Sequence, residues 1–377
     1  MKKILSIFII FMVTFPTLQA DKSFYRNREQ KANKKIKQNL IFLRQNIARK
    51  KMKFSVGYTT AMDFKISQLA TLRLPGDLSQ KMQKQNSKAK QLLAIDNQAF
   101  ERYKKINPKK WALIRKKYIF RCFSNARSWD WRKRSKVTSV RNQSACGSCW
   151  AFATLGSFEG NFALRNGFQL DFSEQALLSC SGAGTCRGGW WAFDYLVSRG
   201  VPVESKYPYT SRDDPCNLPA GTRYYKAVTW GYVGSSSSVP NVAALKNALC
   251  QYGPLSVAVR VTPGFQAYTG GVFNESDTGR VNHGVTLIGW DDNKQAWLIK
   301  NSWGTGWGST GGYGTERGYM WISYGSNKIG YAAAWVKAQR LFYKLPHKYY
   351  KLIKKFYIIP RDKIKPIKPI RPIHKKD

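Results

Sequence analysis

The chain has 377 residues, of which 43% are hydrophobic and 14% aromatic, and it carries 63 basic against 21 acidic side chains. This length and apolar content exclude a wholly disordered chain and allow two or three domains with a substantial core. After the first twenty residues no segment is apolar enough to span a bilayer, which argues against an integral membrane protein.

The excess positive charge lies in two flanks. Residues 21–122 contain 27 Lys or Arg against 6 Asp or Glu, and residues 338–377 contain 13 against 2. Residues 123–337 contain 21 against 13, which is the balance of an ordinary globular domain. The flanks are therefore candidates for contact with anionic partners.

Residues 1–20 have the layout of a secretory signal peptide. Lys2-Lys3 precede an apolar run over residues 4–15, and a small residue, Ala20, ends the segment. The run is too short for a comfortable membrane span. We therefore expect an exported protein, secreted or periplasmic, in a compartment where disulfide bonds persist.

The basic segment that follows has a helical rhythm. Its apolar residues recur at spacings of three and four, at Ile36, Leu40, Leu43 and Ile47. Pro75-Gly76 interrupts the pattern, and the Gln-, Lys- and Ser-rich residues 80–90 indicate a linker.

From Trp129 onwards the sequence is typical of a globular domain rich in aromatic residues and glycine. Its apolar spacing and capping residues predict helices over 150–165, 173–180, 191–198 and 242–251. Alternating apolar runs predict strands over 255–261, 284–290, 296–301 and 318–323. Helices first and strands second predict an α+β fold of two packed lobes with a cleft between them.

The segment Gln143-Ser-Ala-Cys146-Gly-Ser-Cys149 places a cysteine in the first turn of a predicted helix. A helix N-terminus and a neighbouring imidazolium both lower the pKa of a thiol, so Cys149 is a candidate nucleophile. His283 is the single histidine between residues 21 and 346. A lone histidine is more often structural, but this one begins an apolar strand, and we interpret it as the general base.

Two further residues complete a catalytic set. Asn301 can accept the second ring N–H of His283, with Trp303 shielding that hydrogen bond, although Asn-Ser beside glycine is also common in turns. The side-chain amide of Gln143 and the backbone N–H of Cys149 can stabilise a tetrahedral oxyanion. The pattern predicts a cysteine peptidase that works through an acyl-enzyme.

Over residues 124–337 the chain resembles the papain-like (cathepsin L/papain type) cysteine proteases. His283 and Asn301 lie 134 and 152 residues after Cys149, close to the spacing of that family. The resemblance is carried by five motifs in order: Gln143–Phe152, Cys180…Cys186-Arg-Gly-Gly, Tyr207-Pro-Tyr209, Asn282-His283-Gly and Asn301-Ser-Trp-Gly-Thr-Gly-Trp-Gly308.

The resemblance implies a papain-like two-lobed fold, with a mainly helical N-terminal lobe, a β-barrel-like C-terminal lobe and the active site between them. It implies an endopeptidase made as a zymogen, with residues 21–122 as an inhibitory prosegment and residues 123–337 as the peptidase domain. Within the prosegment, Gly57-x-Thr-x-Ala-x-Asp63 keeps the glycine and aspartate of a family motif. We expect a monomer that needs no cofactor, and no cluster has metal-ligand spacing.

The resemblance also implies two disulfide bonds, Cys146–Cys186 and Cys180–Cys216. A third disulfide of the family is missing. Cys250 is then either a buried thiol, which we favour slightly, or the partner of Cys122 if that residue stays on the mature chain.

By the same resemblance, the backbone of Gly188-Gly189 binds an extended peptide substrate as an added strand. The pocket for the second residue before the scissile bond is expected to be apolar and to accept leucine, valine or phenylalanine. The residues expected around the bound substrate are Trp190, Trp191, Ala258, Gly284, Ala332 and Trp303.

Residues 338–377 are basic and aromatic and end in an Ile-Lys-Pro repeat over residues 364–373. We expect a disordered, solvated tail, and the alternative is an adhesive strip for an anionic envelope polymer, a membrane surface or nucleic acid. A rival interpretation of the whole chain is a cationic binding protein built around an inactive protease scaffold.

Overall fold

The computed structural model describes residues 17–118 and 122–357. The predicted signal peptide falls mainly, and the Ile-Lys-Pro repeat wholly, outside the described residues. Within these two ranges no helix is both long and apolar enough to cross a membrane.

The described residues form helices and strands that alternate along the chain. The helices are α1 (Thr17–Gln30), α2 (Lys34–Arg49), α3 (Ile66–Leu69), α4 (Leu78–Ile106), α5 (Pro108–Tyr118), α6 (Cys149–Asn166), α7 (Glu174–Cys180), α8 (Phe193–Ser198), α9 (Val242–Tyr252), α10 (Pro263–Gln266) and α11 (His347–Phe356). The strands are β1 (Phe54–Val56), β2 (Ser128–Asp130), β3 (Gly184–Thr185), β4 (Gly188–Gly189), β5 (Ala227–Tyr232), β6 (Leu255–Val259), β7 (Tyr268–Phe273), β8 (His283–Asp291), β9 (Ala296–Lys300), β10 (Tyr319–Ser323) and β11 (Tyr331–Ala338).

Nine strands form one sheet in the order β1-β7-β10-β9-β8-β6-β11-β5, with β2 beside β8. The pairs are antiparallel except β7 and β10, and β3 and β4 make a separate two-stranded ribbon. Helices α6 to α8 pack into one apolar core and the central strands into a second. The predicted α+β fold of two lobes is confirmed.

Helix α6 joins the two lobes. It begins at Cys149 and ends at Gly167, whose φ of 82° is a left-handed conformation that glycine adopts without strain. Its Gly156 faces β8 so closely that a Cβ atom would lie 2.3 Å from Thr286 Oγ1. This close approach brings the first residue of α6 to the end of β8 where His283 lies.

The segment before the peptidase domain is ordered on its surface. Asn33 caps α2, and Leu40 and Leu43 on the predicted apolar face of this helix are buried. Strand β1 pairs with β7 and so extends the central sheet by one strand. The predicted prosegment therefore packs on the rest of the chain through both a helix and a sheet edge.

The linker predicted over residues 80–90 is wrong, because these residues lie inside the 29-residue helix α4. Gln and Lys are good helix formers, and their polarity does not oppose a helix that buries one residue per turn. The buried residues of this stretch are Met82, Gln85 and Ala89, and the stripe continues to Leu92 and Asp96.

The predicted disorder after residue 338 is also wrong as far as residue 357. Residues 347–356 form α11, which buries Tyr349, Ile353 and, just beyond its end, Tyr357. These residues are four apart and share one face, so a basic segment still has an apolar side to pack. We refer to residues 339–357 as the C-terminal segment.

Three disulfide bonds are present: Cys146–Cys186, Cys180–Cys216 and Cys122–Cys250. The third joins the end of the predicted prosegment to α9, so the buried-thiol interpretation of Cys250 is wrong. Cys149 is buried and is the free cysteine of the described chain.

Candidate active site

The register of β8 and β9 places His283 beside Asn301. The strands are antiparallel neighbours with Thr286 opposite Lys300, so the start of β8 meets the residue that follows β9. His283 Nε2 lies 2.8 Å from Asn301 Oδ1, which also accepts the backbone N–H of Ser302 at 2.8 Å. Because this Asn301 atom is an acceptor, the hydrogen bond to it requires that the proton of the His283 ring be on Nε2. Nδ1 then has no proton and can exchange one with a thiol.

Trp303 covers the His283–Asn301 hydrogen bond. Its ring centroid is 4.8 Å from that of His283, and its side chain is buried. Phe265 lies on the same side, with its centroid 6.3 Å from the imidazole. The pair is therefore screened from water, and a hydrogen bond in a low-dielectric site is electrostatically stronger than one in solvent.

Cys149 occupies the N-terminus of α6, as predicted, but it is not poised as a thiolate here. Burial raises the pKa of its thiol, although hydrogen bonds from Gly284, Thr71 and Trp150 act in the opposite direction. Burial likewise lowers the pKa of His283 to about 4. Both pKa directions disfavour the expected ion pair in this covered state, because desolvation opposes both charges.

Residues 69–73, which we call the cleft segment, contact both Cys149 and His283. Thr71 Oγ1 donates to the Gly147 carbonyl at 2.6 Å, and the Thr71 backbone and hydroxyl both hydrogen-bond to Cys149. Nothing in the residue types of this segment marks it as a cleft ligand, which is why sequence reasoning missed it.

Gln143 is fully buried, and its amide orientation is fixed. Nε2 donates to the carbonyls of Cys146 at 2.9 Å and Leu69 at 3.0 Å, while Oε1 accepts from Ser302 Oγ at 2.7 Å. The donor end of the amide therefore faces the cleft. The Leu69 carbonyl of the cleft segment occupies the position in which Gln143 would hold an oxyanion.

Tyr209 and Ser148 hydrogen-bond within the segment from Gln143 to Cys149, and sequence reasoning did not assign them a role. The Tyr209 hydroxyl donates to the Gln143 carbonyl at 3.0 Å and lies 2.6 Å from Ser148 Oγ. The motif that includes Tyr209 was the available signal, but a motif does not show which atom its side chain reaches.

Gly188-Gly189, predicted to bind substrate backbone, contact the cleft segment. Leu72 bridges to Gly189 in a parallel sense, and Arg73 N donates to the Gly189 carbonyl at 2.9 Å. Gly188 has a φ of +115°, and a Cβ atom there would lie 2.1 Å from the Thr71 carbonyl oxygen. The missing side chain is what allows a peptide to pass.

Four of the residues predicted for the apolar pocket come together. Ala258 pairs with Gly284 across β6 and β8. A Cβ atom on Gly284 would lie 3.0 Å from the Trp191 ring, and Trp191 Nε1 donates to the Ala332 carbonyl at 3.3 Å. Trp190 is only partly buried and donates instead to Tyr232 Oη at 3.0 Å, so it borders the pocket from the side.

A group of charged side chains lies buried beneath the cleft, and sequence reasoning did not anticipate it. Burial raises the pKa of Glu159 to about 7 and raises that of Glu174 as well, while it lowers the pKa of Lys300. Lys300 Nζ donates to Thr138 Oγ1 at 2.9 Å and precedes the predicted catalytic Asn301. These groups share the core under the site, so its charge state depends on pH.

The family model described as papain family cysteine protease matches residues 125–337, which is more than half of the chain. The chain belongs to the papain family of cysteine proteases. Its similarity to digestive cysteine proteinase 1 of Homarus americanus is 39% identity over 194 residues, covering 48% of this chain and 59% of that protein. With cathepsin K of Gallus gallus it is 40% over 196 residues, covering 48% and 56%. The alignments thus span less than two thirds of these relatives.

Solved structures of cysteine proteases are similar to this chain in fold. The digestive procathepsin L 3 of Tenebrio molitor larval midgut matches with a TM-score of 0.58 and 26% identity, over 86% of this chain and all of that one. A Carica candamarcensis cysteine protease in complex with E-64 matches with a TM-score of 0.50 and 32% identity, over 56% and 98%. The papain-like family resemblance and fold predicted from the sequence are confirmed.

Proposed function

We propose that the protein is a cysteine endopeptidase made as an inactive precursor. The observation that carries this proposal is the His283–Asn301 pair beside Cys149, whose thiol is hydrogen-bonded to the Gly284 backbone, together with a Gln143 amide that already binds a backbone carbonyl. An N–H donor that already binds a carbonyl oxygen there can also bind the oxyanion of the tetrahedral intermediate in acyl transfer.

The chemistry follows from these positions. Cys149 transfers its proton to His283 Nδ1, and the sulfur adds to the substrate carbonyl carbon while Gln143 and the Cys149 N–H hold the oxyanion. The imidazolium returns the proton to the leaving amine as the C–N bond breaks, which leaves a thioester. Water then attacks the thioester with His283 as base, releasing the acid and restoring the thiol.

The prosegment is proposed to inhibit by occupying the cleft. The cleft segment occupies the oxyanion position and hydrogen-bonds to the Gly189 backbone, and the burial of Cys149 and His283 beneath it disfavours their charged forms. Removing it would rehydrate both groups and allow the thiolate–imidazolium pair to form.

Substrate preference is proposed from the pocket formed by Trp191, Ala258, Gly284 and Ala332. These side chains are apolar or small, so an aliphatic or aromatic residue is favoured two positions before the scissile bond, and a charged one is not. The leader and the three disulfides support export, and one similar protein is a digestive proteinase.

A second function is favoured by one observation. Helix α11 exposes Lys348, Lys351, Lys354 and Lys355 opposite its buried aromatic face. We propose that this face, with the basic tail beyond it, holds the enzyme on an anionic polymer or membrane surface. Changing the four lysines to glutamine should lower retention on heparin or anionic vesicles, and unchanged retention would contradict the proposal.

The direct test of the peptidase proposal compares wild type with Cys149→Ser and His283→Ala after incubation with a reductant at mildly acidic pH. We expect wild type to hydrolyse a peptide with leucine or phenylalanine two residues before the scissile bond and both variants to be inactive. A Cys149→Ser protein with normal activity would refute the assignment.

A further inference from the structure

Helix α4 is the part of the prosegment that follows the cleft segment, and it covers the free edge of β5. Gln85 Nε2 donates to the Trp230 carbonyl at 2.7 Å. Asn86 accepts the Tyr232 N–H at 2.7 Å and donates to the Gly234 carbonyl at 2.8 Å. Because β5 ends the sheet, these side chains satisfy backbone groups that no neighbouring strand reaches.

The C-terminal segment is anchored to the peptidase domain by contacts that do not involve α4. Tyr349 Oη donates to the Val228 carbonyl at 2.9 Å, farther along the same strand. The backbone N–H of Gln339 donates to the Lys226 carbonyl at 2.8 Å, and that of Leu341 to Asn166 Oδ1 at 2.9 Å. The C-terminal segment therefore binds the peptidase domain independently of α4.

The same segment closes over the outer side of α4 through aromatic and cationic contacts. Phe342 and Tyr103 have ring centroids 5.1 Å apart, and the Arg340 guanidinium lies 4.0 Å from the Phe100 ring centroid. Arg–aromatic contacts of this kind contribute to stability when they are shielded from solvent.

Nearer the start of α4, Lys88 Nζ donates to the Phe356 carbonyl at 3.1 Å. Together with the contacts near Phe100 and Tyr103, this means that α4 lies between β5 on one side and the C-terminal segment on the other.

Asp96 of α4 is the polar centre of this interface. It is 1% exposed and pairs with Arg165 and Lys337 of the peptidase domain, each at 3.0 Å. It also accepts a hydrogen bond from the Tyr343 hydroxyl of the C-terminal segment. A buried carboxylate with three partners is costly to separate, since removing one partner leaves charge desolvated and uncompensated.

We propose that the C-terminal segment is a second part of the prosegment's binding site, which holds α4 on the β5 edge and so keeps the cleft segment in the active site. The inference rests on the proposed protease function for its biological meaning but not for its physical test. The cleft segment is tied at one end by β1 on β7 and at the other by α4. Anchoring both ends raises its effective concentration in the cleft.

Hydrogen exchange in the full chain with Cys149→Ser tests this without any need for catalysis. A chain that ends at residue 339 lacks residues 340–357 of the C-terminal segment, and a chain that ends at residue 357 lacks only the tail beyond it. We expect amides of α4 to exchange at least about tenfold faster in the shorter chain, with β8 and β9 as the unchanged internal reference. The chain ending at 357 should match the full chain.

Point variants cover the case in which the shorter chain misfolds and β8 and β9 also lose protection. Arg340→Ala with Tyr343→Ala should raise α4 exchange, whereas the exposed Leu341→Ala should not. Equal α4 protection in the full chain, the truncated chain and the double variant would overturn the proposal.

A parallel set with Cys149 intact separates this inference from the proposed function. We expect the chain ending at 339 to release its prosegment and gain peptidase activity sooner than the chain ending at 357. Suppose that α4 exchanges faster in the chain ending at 339 than in the chain ending at 357, and that no chain has activity. This result would support the C-terminal segment as a binding site and count against the peptidase function. Equal activation rates together with unchanged α4 exchange would reject the inference alone.

Discussion

The side-chain amide of Gln143 is held from both ends, by Ser302 on its oxygen and by the Cys146 carbonyl on its nitrogen. One N–H remains directed into the cleft, where the Leu69 carbonyl now sits. Such a preorganised donor acts on charge that develops in the transition state, because it needs no rearrangement when the charge appears.

Replacing Gln143 with alanine should lower kcat by about 100- to 1000-fold with little change in KM, since the lost donor acts on the oxyanion rather than on bound substrate. Steady-state hydrolysis of a fluorogenic peptide by the processed enzyme measures both constants. Cys149→Ser gives the background rate. A Gln143→Ala enzyme with wild-type kcat would contradict the assignment.

Cys149 and His283 beneath the cleft segment are expected to react slowly with alkylating reagents. Burial raises the pKa of Cys149 and lowers that of His283 to about 4, so we expect a neutral thiol and a neutral imidazole in the proposed precursor between pH 5 and 8. The thiolate is the reactive species. We expect iodoacetamide to label the precursor slowly over this range and the processed enzyme rapidly, as measured by intact mass. Equal labelling rates would show that the cleft segment does not protect Cys149.

The elements that the sequence predicted are those whose local pattern agrees with their final environment. Helix α6 was predicted over 150–165 and spans Cys149–Asn166, because its apolar run ends in the Asn166-Gly167 stop signal. Strand β8 is likewise predicted to within one residue at each end, because residues 284–290 are mostly apolar and are buried. The order of the candidate catalytic residues along the chain is the basis of their predicted roles.

The elements that the sequence did not predict depend on a distant partner. Residues 80–90 of helix α4 are predicted as a linker from their Gln, Lys and Ser content. Gln85 in this stretch and Asp96 farther along α4 are buried because Trp230 and Arg165 satisfy them. Disorder is predicted for the residues of helix α11, because their apolar face becomes buried only when it packs against β5 and α4. Pairing between residues 69 or more positions apart has no local signature in one sequence.

A proline placed in α4 distinguishes a helix from a linker. Lys84 is exposed and lies in the stretch that sequence reasoning assigned to a linker. Lys84→Pro should destabilise α4 by about 3 kcal/mol and open it to limited proteolysis in the Cys149→Ser precursor. Lys84→Ala should be nearly neutral, because it removes no hydrogen bond and keeps helix propensity. Proline that leaves proteolysis unchanged would argue for the linker.

The Cys122–Cys250 disulfide decides which fragment stays attached after processing. Cys122 lies on the chain before Trp129, and Cys250 lies on α9. A cut on the N-terminal side of Cys122 should release the prosegment with or without reductant. A cut after Cys122 should leave the prosegment attached on a non-reducing gel. We expect release without reductant, with Cys122 and Cys250 both in the mature mass; a prosegment freed only by reductant would contradict this.

At the scale of the whole molecule, two lobes meet over a core that contains ionisable groups. Glu159 lies on α6 of the helical lobe and Lys300 on β9 of the sheet lobe, and both are buried. Phe172 N donates to Glu159 Oε1 at 2.9 Å, so the carboxyl also ties α6 to the chain before α7. Packing of the lobes and protonation of this core are therefore linked.

Glu159 gives stability a predictable dependence on pH. Its pKa is raised to about 7 from 4.5 by burial, so its contribution is full below pH 4.5 and is lost as the pH rises through 7. His283, with its lowered pKa, acts in the opposite direction, so the comparison must be made against Glu159→Gln. The Tm of the Cys149→Ser precursor should fall from pH 5 to 7.5 relative to that variant.

The exposed Glu101→Gln is the matched control for this experiment, because its side chain is 61% exposed. It should leave the pH dependence of Tm unchanged. A constant Tm difference between wild type and Glu159→Gln at every pH would mean that Glu159 does not titrate in this range.

The most direct test of the account is to incubate the purified precursor at mildly acidic pH with dithiothreitol, with and without a thiol-reactive epoxide. Intact mass and hydrolysis of a Phe-Arg fluorogenic peptide are followed together. We predict loss of roughly the first hundred residues and activity that a single label on Cys149 abolishes. A chain that is processed, takes no label and hydrolyses nothing would contradict the peptidase assignment and favour a binding protein on an inactive scaffold.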